Sequence, residues 1–322
     1  MRRRQQGVAL ITAVLIVALV TAAAVAMASK QQFDIRRTAN IFNNDAAYQF
    51  ALGAEDYARN VLEWDITKGN PDVDHLGEDW AQVVSVPVEG AMLTGSLQDL
   101  QGRFNLNTLV DPDGQKPNHP MVERFKNLLR SLDLDEGIAD AVVDWIDEDN
   151  TNPTGFGGAE DDYYMLQNPP YRAANGMMVS TSELLLIKGV DYEKYQALAP
   201  YVTALPSHET KINVNTAPPL VLSAIEIKLT PQDGEALVQT RTDKDDAFGS
   251  IDDFLGQSEI TNLNLQPDEI EKLKTKVLDV KSEYFLLTAM AEFDQSTAHL
   301  SSLLKRDPNG AVHVLMRSRG AF

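Results

Sequence analysis

The sequence predicts an α+β protein, with one long N-terminal helix packed on an antiparallel sheet and a large, mainly α-helical domain inserted into that sheet. Two observations predict it. An uncharged apolar segment continues into an amphipathic helical pattern that ends near residue 65. Strand-like segments then occur at both ends of the remaining chain, over 84–106 and 284–316, and a helical, acidic stretch separates them.

The first element combines a membrane-spanning segment with an amphipathic extension. The segment 8–29 has no charged residue, and its 22 residues match a bilayer core of roughly 30 Å. Apolar residues then recur at three- and four-residue steps, and no proline occurs before Pro71. We therefore expect one helix over 8–65. The residues predicted to face neighbouring helices are Thr12, Phe42, Ala46, Phe50, Ala54 and Tyr57.

The residues before this helix, MRRRQQG, admit three interpretations. A secretory signal would be cut after Ala28, where Ala-Met-Ala fits the small-residue rule, and a plain signal anchor would stay uncut. The third is a leader over 1–7, cut on the cytoplasmic side between Gly7 and Val8, with the apolar segment retained. We favour it because the glycine lies at the polar–apolar junction and the helical pattern continues past residue 30. The three arginines would then stay in the cytoplasm.

The predicted sheet domain combines 66–107 with 280–322. Its strands are expected at Val84–Val86, Ala91–Thr94, Arg103–Leu106, Tyr284–Met290, Ala298–Leu304 and Ala311–Met316. A turn over 307–310, Asp-Pro-Asn-Gly, joins the last two strands. The helical insertion then occupies 108–279.

The insertion shows a weak internal repeat, which divides it at about 108–209 and 210–279. The segment 104–109, FNLNTL, resembles 212–217, INVNTA, and each is typical of a short strand that leads into a helix. The end of the second copy resembles a SAM or helix-hairpin-helix module. A DNA-binding hairpin needs basic residues to meet phosphates, whereas acidic residues predominate here and the formal net charge of the chain is −19. We therefore do not expect nucleic acid as a partner.

Acidic residues crowd one part of the insertion. Between Arg130 and Arg172 there is no Lys or Arg, yet eleven Asp and Glu occur. Asp144 and Asp147 lie at the C-terminal end of a predicted helix over 135–147, where the helix dipole disfavours anions. Calcium, which takes six to eight oxygen ligands from irregular loops, would compensate these charges. The predicted metal ligands are Asp144, Asp147, Asp149, Asn150, Glu160, Asp161 and Asp162.

Other chemistries are not favoured. The chain has no cysteine, which excludes disulfides, thiolate catalysis and cysteine-bound zinc, and its five histidines are scattered. The acidic loop is not an EF-hand, since its sixth and twelfth positions counted from Asp147 are Asn152 and Gly158. Paired carboxylates could serve a glycosidase, but carboxylates this crowded fit a shared cation better. We therefore do not expect an enzyme.

The apolar anchor and its amphipathic extension resemble the N-terminal helix of type IV pilins and type II secretion pseudopilins. One position departs from the pattern, because the families usually carry Glu at the fifth mature position and this chain has Thr12. In those families the carboxylate pairs with the amine of the subunit ahead, so its absence suits a subunit with nothing ahead of it. The resemblance implies a pilin-like fold, cleavage by a prepilin peptidase after Gly7 and N-methylation of Val8.

Motifs in the insertion narrow this resemblance. The segments 144–149 (DWIDED), 158–160 (GAE), 169–171 (PPY) and 182–184 (SEL) resemble the K-type minor pseudopilin of type II secretion, general secretion pathway protein K. The resemblance implies a subunit of the bacterial inner membrane with a periplasmic soluble domain. That subunit would cap and initiate the pseudopilus at its tip for export of folded proteins across the outer membrane.

The resemblance also implies partners and a cofactor. The implied partners are the I-type and J-type minor pseudopilins and other pseudopilins, and the implied cofactor is calcium, as two ions in the insertion. The sequence leaves two alternatives open: a minor pilin of a type IV pilus or competence fibre, and a membrane-anchored, calcium-binding adhesin.

Overall fold

A long N-terminal helix forms one layer of the first half of the molecule. The computed structural model describes residues 6–149, 154, 155, 157–244 and 247–320. Helix α1, Gln6–Lys68, continues for 63 residues without a break. Within the described residues it is the one helix long and apolar enough to span a membrane, and its apolar stretch is not buried against the rest of the chain.

The C-terminal third of α1 packs one narrow face on a sheet. The residues of this face follow one another at three- and four-residue steps, as expected for one side of a helix. They are Ala47, Ala51, Glu55, Ala58 and Leu62, and all are at most 4% exposed. The small alanine side chains allow the helix backbone to approach the sheet closely.

A five-stranded antiparallel sheet forms the second layer. The described residues contain nine strands: β1 Val84–Val88, β2 Ala91–Asp99, β3 Phe104–Asn105, β4 Val202–Thr203, β5 Ile212–Asn213, β6 Leu278–Asp279, β7 Tyr284–Phe293, β8 Ser296–Arg306 and β9 Val312–Ser318. The sheet has the order β1-β2-β7-β8-β9. It confirms the predicted α+β class, with strands from both ends of the soluble chain paired side by side.

One predicted strand was assigned to the wrong sheet. The segment Arg103–Leu106 does not join the main sheet, since β3 pairs in parallel with β4. The chain leaves the sheet at Asp99, whose carboxylate accepts the Gln101 N–H at 2.7 Å and so stabilises a turn. After that turn the Phe104 N–H donates to the Tyr201 carbonyl at 2.8 Å.

The insertion is built from short helices around its own apolar core. Its α-helices are α2 His119–Ser131, α3 Gly137–Ile146, α4 Asp161–Tyr164, α5 Tyr192–Leu198, α6 Pro219–Ala224, α7 Pro231–Asp243, α8 Ile251–Leu255, α9 Ser258–Thr261 and α10 Pro267–Lys272. Short 3-10 turns at Leu106–Leu109 and Thr181–Leu186 supplement them. The core of the insertion is separate from the core between α1 and the sheet.

The two copies of the Asn-x-Asn-Thr motif have the same geometry. In the first, the Asn105 carboxamide accepts the Asn107 N–H, and in the second Asn213 accepts the Asn215 N–H. The side chain of the second asparagine in each copy then forms two hydrogen bonds with the backbone of a distant residue: its Nδ2 donates to the carbonyl and its Oδ1 accepts the N–H. Asn107 binds Met178 in this way and Asn215 binds Phe248. Each copy opens with a strand that pairs in parallel with the strand closing that copy.

The insertion meets the sheet through a small set of buried polar groups, here called the junction. Asp99, at the end of β2, accepts hydrogen bonds from Ser282 Oγ at 2.6 Å and from Asn213 Nδ2 at 3.2 Å. The Gln101 carbonyl oxygen of the side chain accepts the Glu283 N–H at 2.6 Å. The junction therefore joins the start of each insertion copy to the adjacent ends of β2 and β7.

Candidate metal centre

Helix α3 has two carboxylates that lie in the interior of the insertion. All of Ile138–Ile146 is buried, including Asp140 and Asp144. Asp140 is paired with Lys126 Nζ of α2 at 3.0 Å, so its charge is already balanced. Asp144 is fully buried. Both of its carboxylate oxygens accept the Thr154 N–H, Oδ1 at 2.8 Å and Oδ2 at 3.0 Å.

Aromatic packing brings the second acidic segment back to α3. The Trp145 ring meets Tyr164 of α4 edge-on at 5.2 Å, and Tyr164 in turn contacts Tyr171 at 5.3 Å. The Trp145 indole N–H donates to Glu183 at 3.1 Å. Gly158 must be glycine here, because a Cβ at this position would collide with the Asp144 carboxylate. These contacts hold the start of α4 against the C-terminal end of α3.

Two buried carboxylates at this place have oxygens without any hydrogen-bond partner. Asp147, the residue that ends α3, is 3% exposed and its Oδ1 is unpaired. Glu160, the residue before α4, is 2% exposed and both of its carboxylate oxygens are unpaired. Leaving a buried acceptor unpaired is costly, and more so when it carries a charge.

Burial and mutual repulsion raise the pKa of these groups. Burial, with added repulsion from Asp144 and Asp149, raises the pKa of Asp147 to about 7. Burial raises the pKa of Glu160 to about 8, and Asp144, Asp147 and Asp149 add to the effect. Burial also raises the pKa of Asp144, against the hydrogen bonds from Thr154. Three carboxylates in this environment therefore favour a shared positive ligand.

The other predicted ligands differ in their surroundings. Asp149 is exposed, yet it acts electrostatically on both Asp147 and Glu160. Asp161 accepts the Ala173 N–H at 3.1 Å and lies 3.7 Å from Arg172, while Asp162 is exposed and accepts the neighbouring Tyr163 N–H. Asn150 lies outside the described residues. The structure therefore brings Asp144, Asp147 and Glu160 together, with Asp149 beside them.

Sequence reasoning missed Asn175. Its side-chain Oδ1 is buried and unpaired, its Nδ2 donates to the Asp149 carbonyl at 3.0 Å, and its N–H donates to the Trp145 carbonyl. The residue has a left-handed backbone, with φ 47°, which asparagine tolerates better than most residues. An Asn-Gly pair after the acidic segment was the available signal.

A second group of carboxylates is packed more closely, but an arginine side chain already binds two of its members. Within the described ranges, one set of three carboxylates has oxygens within 4.8 Å of one another, formed by Asp65, Asp74 and Glu78. Arg306 donates to Asp65 at 2.6 Å and also to Asp74. No oxygen of this set is orphaned among the buried groups. We therefore place the candidate metal centre at Asp144, Asp147 and Glu160, even though their oxygens do not converge as tightly.

The donor set fits a hard cation. All of its groups are oxygen donors, two of them carry unpaired buried oxygens, and they lie where a helix end meets an irregular loop. Calcium accepts this kind of set with variable geometry, whereas zinc prefers nitrogen and sulfur. A bound calcium ion would supply positive charge to these carboxylates.

The predicted sites on α1 fall into three groups. Gly7 and Val8 lie in its first turns, and Thr12 donates its hydroxyl to the carbonyls of Val8 and Ala9. Phe50 and Ala54 pack against the chain's own sheet, and Ala46 is half-buried. Phe42 and Tyr57 are exposed at 66% and 53%, so these two remain open to a neighbour.

Proteins of similar sequence and fold are found in the type II secretion system. The family description "Type II secretion system (T2SS), protein K" matches residues 102–207 and 212–276. Type II secretion system protein K of Pseudomonas aeruginosa is 37% identical, covering 99% of this chain and 94% of that protein. The corresponding protein of Aeromonas hydrophila is 34% identical, covering 99% of this chain and 98% of that protein.

A solved structure extends the likeness to three dimensions. A chain of the GspK-GspI-GspJ complex from enterotoxigenic Escherichia coli superposes with a TM-score of 0.76 at 28% identity, covering 89% of this chain and 100% of that chain. These matches confirm the resemblance drawn from the motifs and favour secretion over a pilus or competence fibre. The chain therefore belongs to the type II secretion system protein K family, the K-type minor pseudopilins.

Proposed function

We propose that this minor pseudopilin caps and initiates the type II secretion pseudopilus at its tip, as a structural subunit without catalytic activity. The observation that carries the proposal is the position of the insertion. Asp74 accepts the N–H of Ser282 in the junction. Arg306 donates to both Asp74 and Asp65, and Asp65 lies near the C-terminal end of α1. The insertion thus extends from the end of the molecule farthest from the apolar segment, where a further subunit would otherwise stack.

Thr12 supports the same position in the fibre. Its hydroxyl is satisfied within its own helix, so it needs no partner from a subunit ahead. The I-type and J-type minor pseudopilins are the proposed partners, because the similar solved chain was found in a GspK-GspI-GspJ complex. Other pseudopilins would then follow below this group.

A single label tests the tip position. The chain has no cysteine, so Asn262→Cys on the exposed surface of the insertion creates a unique attachment point. In fibres assembled from the full set of pseudopilins, we expect a gold label at one end of each fibre. Labels spaced along the fibre would contradict the proposal.

The N-terminal helix also supports a proposal about processing and location. We propose that a prepilin peptidase cuts between Gly7 and Val8, that Val8 is then N-methylated, and that 8–29 spans the membrane with the soluble part in the periplasm. The unbroken helix from Gln6 to Lys68 supports this, since a cut after Ala28 would divide it. Mass spectrometry of the mature N-terminus should find methylated Val8. A mature chain that starts at Ser29 would contradict the assignment.

We further propose that Asp144, Asp147 and Glu160 hold calcium, with support from Asp149 and Asn175. Calcium added to chelator-treated protein should raise its melting temperature, because the ion binds the folded state. Glu160→Gln should abolish most of this increase. The matched control is Asp162→Asn, two residues away and exposed, which should keep it. Equal stabilisation of the Glu160→Gln protein would exclude this site.

A further inference from the structure

We propose that one face of α1, just beyond its membrane segment, binds the headgroups of anionic phospholipids on the periplasmic side of the inner membrane. We call it the basic face, and it consists of Lys30, Phe33, Arg36 and Arg37. The inference rests on the proposed span of 8–29, and it adds the class of lipid and the residues that recognise it.

The segment 30–42 lies between the membrane segment and the sheet and is covered by neither. All of its residues are exposed, and Phe33 is 73% exposed. Within the described part of α1, the first buried side chain is that of Ala47, about 26 Å along the helix axis from Lys30. In the single subunit, the surroundings of this segment are therefore lipid headgroups and water.

The charge of this part of α1 is opposite to that of the chain as a whole. The segment 30–44 has three basic residues and one acidic residue, Asp34, whereas the formal net charge of the chain is −19. Among the described residues, none of these three basic side chains forms an ion pair, whereas Lys126 and Arg306 of the soluble part do. Basic residues are also usually less frequent on this side of a membrane segment. An anionic partner outside the chain would account for them.

Helical spacing places the three cations on one side of α1, around an aromatic ring. Lys30, Phe33 and Arg37 follow at steps of three and four residues, and Arg36 follows Phe33 by three. The Phe33 ring would enter the apolar side of the membrane interface while the cations around it meet phosphates.

The spacing along α1 puts the three charges near the height of the phosphate groups. The headgroup layer is about 5–7 Å thick on each side of the bilayer core. Lys30 directly follows the membrane segment, and the Cα atoms of Arg36 and Arg37 lie about 9–11 Å farther along the axis. Helical side chains lean toward the N-terminus, so we expect both guanidinium groups to extend back toward the membrane. Long basic side chains reach a lipid surface in this way, and the arginine fork binds phosphate through two hydrogen bonds.

The basic face lies below the chain's own sheet and away from the side that is open to a neighbour. Ala47 follows Phe33 by fourteen residues, which is nearly four full turns, and Ala51 follows Arg37 by the same number. Both alanines are buried where α1 packs on the sheet. Phe42 follows Phe33 by nine residues, two and a half turns, and so lies on the opposite side. Lipid and a neighbouring helix would therefore not compete for the same face.

A group of carboxylates at the membrane end of the sheet opposes the basic face. Glu89, Glu292 and Asp294 line one shallow cavity, and Asp294 accepts the Asn43 side-chain N–H at 2.6 Å. Asn43 lies about 20 Å beyond Lys30 along α1, more than two Debye lengths at physiological salt. The carboxylates therefore do not cancel the attraction at the basic face, yet they would repel an anionic surface if the helix tilted toward it. The two effects together would hold α1 upright on the membrane.

Lipid retention by the full chain tests the basic face. The chain is released from micelles that contain equal amounts of phosphatidylglycerol and phosphatidylcholine, and the bound lipids are counted by native mass spectrometry. The unmodified chain should retain phosphatidylglycerol in preference, and a higher salt concentration should weaken this preference. In the triple variant Lys30→Gln/Arg36→Gln/Arg37→Gln the preference should fall at least about fivefold, since each basic residue near an anionic surface contributes about this factor.

The matched control removes the same charge elsewhere. Lys68→Gln/Lys116→Gln/Lys276→Gln replaces three exposed lysines of the soluble part and should retain phosphatidylglycerol as the unmodified chain does. The leader is the same in all three proteins, so its arginines do not contribute to a difference between them. Inorganic phosphate added at the concentration of the lipid should not displace the lipid, which separates a lipid site from a free-phosphate site.

The outcomes separate the inference from the proposed function. An unchanged preference in the triple variant, an equal loss in the control, or displacement by phosphate would overturn the basic face while leaving the tip function intact. If the unmodified chain did not insert into vesicles of either lipid, the proposed membrane span would fail, and the basic face with it. Equal melting temperatures show that the three proteins fold alike. If the triple variant did not fold, the salt series on the unmodified chain would decide, and a preference independent of salt would overturn the inference.

Discussion

Asp65 lies in a cluster where carboxylates outnumber cations. Arg306 donates to it at 2.6 Å and also binds Asp74, while Glu78 completes the group. Burial raises the pKa of Asp65 to about 7, with repulsion from Glu78 and Asp74 added and Arg306 acting in the opposite direction. The folded chain therefore holds this proton more tightly than the unfolded chain does.

The raised pKa predicts how stability depends on pH. The contribution of a protonated Asp65 is fully present below about pH 4, its unfolded range, and is lost as the pH rises through about 7. Asp65→Asn cannot ionise. Its melting temperature relative to wild type should therefore increase between pH 5 and pH 8, measured at constant calcium. A difference that stays constant or decreases would contradict the assignment.

At the residue scale, the sequence located only the local part of the candidate metal centre. Asp144 and Asp147 could be predicted as ligands because the C-terminal end of a helix disfavours anions. The partner of Asp140 was not, since Lys126 reaches it from α2 through tertiary packing. Asn175 was missed for the same reason: its unpaired oxygen is set by the fold of a loop, and no spacing rule connects it to Asp147.

At the element scale, the buried alanines of α1 set the distance between the helix and the sheet. Ala51 is fully buried at the centre of this contact. Ala51→Leu would insert three carbons into a closely packed interface, and we expect it to lower the free energy of unfolding by about 1–3 kcal/mol. Chemical denaturation in detergent measures this.

The control for this substitution lies on the same helix. Ala39→Leu makes the same change at an exposed position before the sheet begins, and should alter the free energy of unfolding by less than about 0.5 kcal/mol. Similar losses for both substitutions would show that the effect comes from helix propensity or the membrane segment and not from the interface.

Strand positions were predicted better than strand partners. Alternation located β1, β2, β7, β8 and β9, and the Asp307–Gly310 turn closes as expected, with the Gly310 N–H donating to the Asp307 carbonyl at 2.9 Å. The partner of Phe104 depended on a residue nearly one hundred positions away. Pairing between strands so far apart in the chain is decided by packing in the core of the insertion. It produces no periodic pattern in the sequence.

At the scale of the whole molecule, the insertion occupies the place of a turn. β2 and β7 are adjacent and antiparallel, with Asp99 opposite Phe285, and the Leu100 N–H donates to the Tyr284 carbonyl at 3.0 Å. A short hairpin could connect the same two ends. We therefore predict that the sheet register does not depend on the insertion.

Excision tests this independence. A chain in which Asn-Gly joins Leu100 directly to Tyr284 should keep α1 and the five-stranded sheet, seen as a cooperative unfolding transition and retained β-sheet circular dichroism. Joining Leu100 to Thr288 is the control, because it removes four residues of β7 and should prevent folding. Failure of the first chain to fold would show that the insertion is needed to set the register.

The junction also has a mechanical consequence. Both connections to the insertion enter the sheet at the same end of two neighbouring strands, so tension on the insertion would separate β2 from β7 one hydrogen-bonded pair after another. Compression along α1 instead presses the insertion onto Asp99, Gln101 and Ser282, where buried hydrogen bonds resist it together. We therefore expect the molecule to resist compression along α1 better than tension on the insertion, which would suit the tip position proposed above.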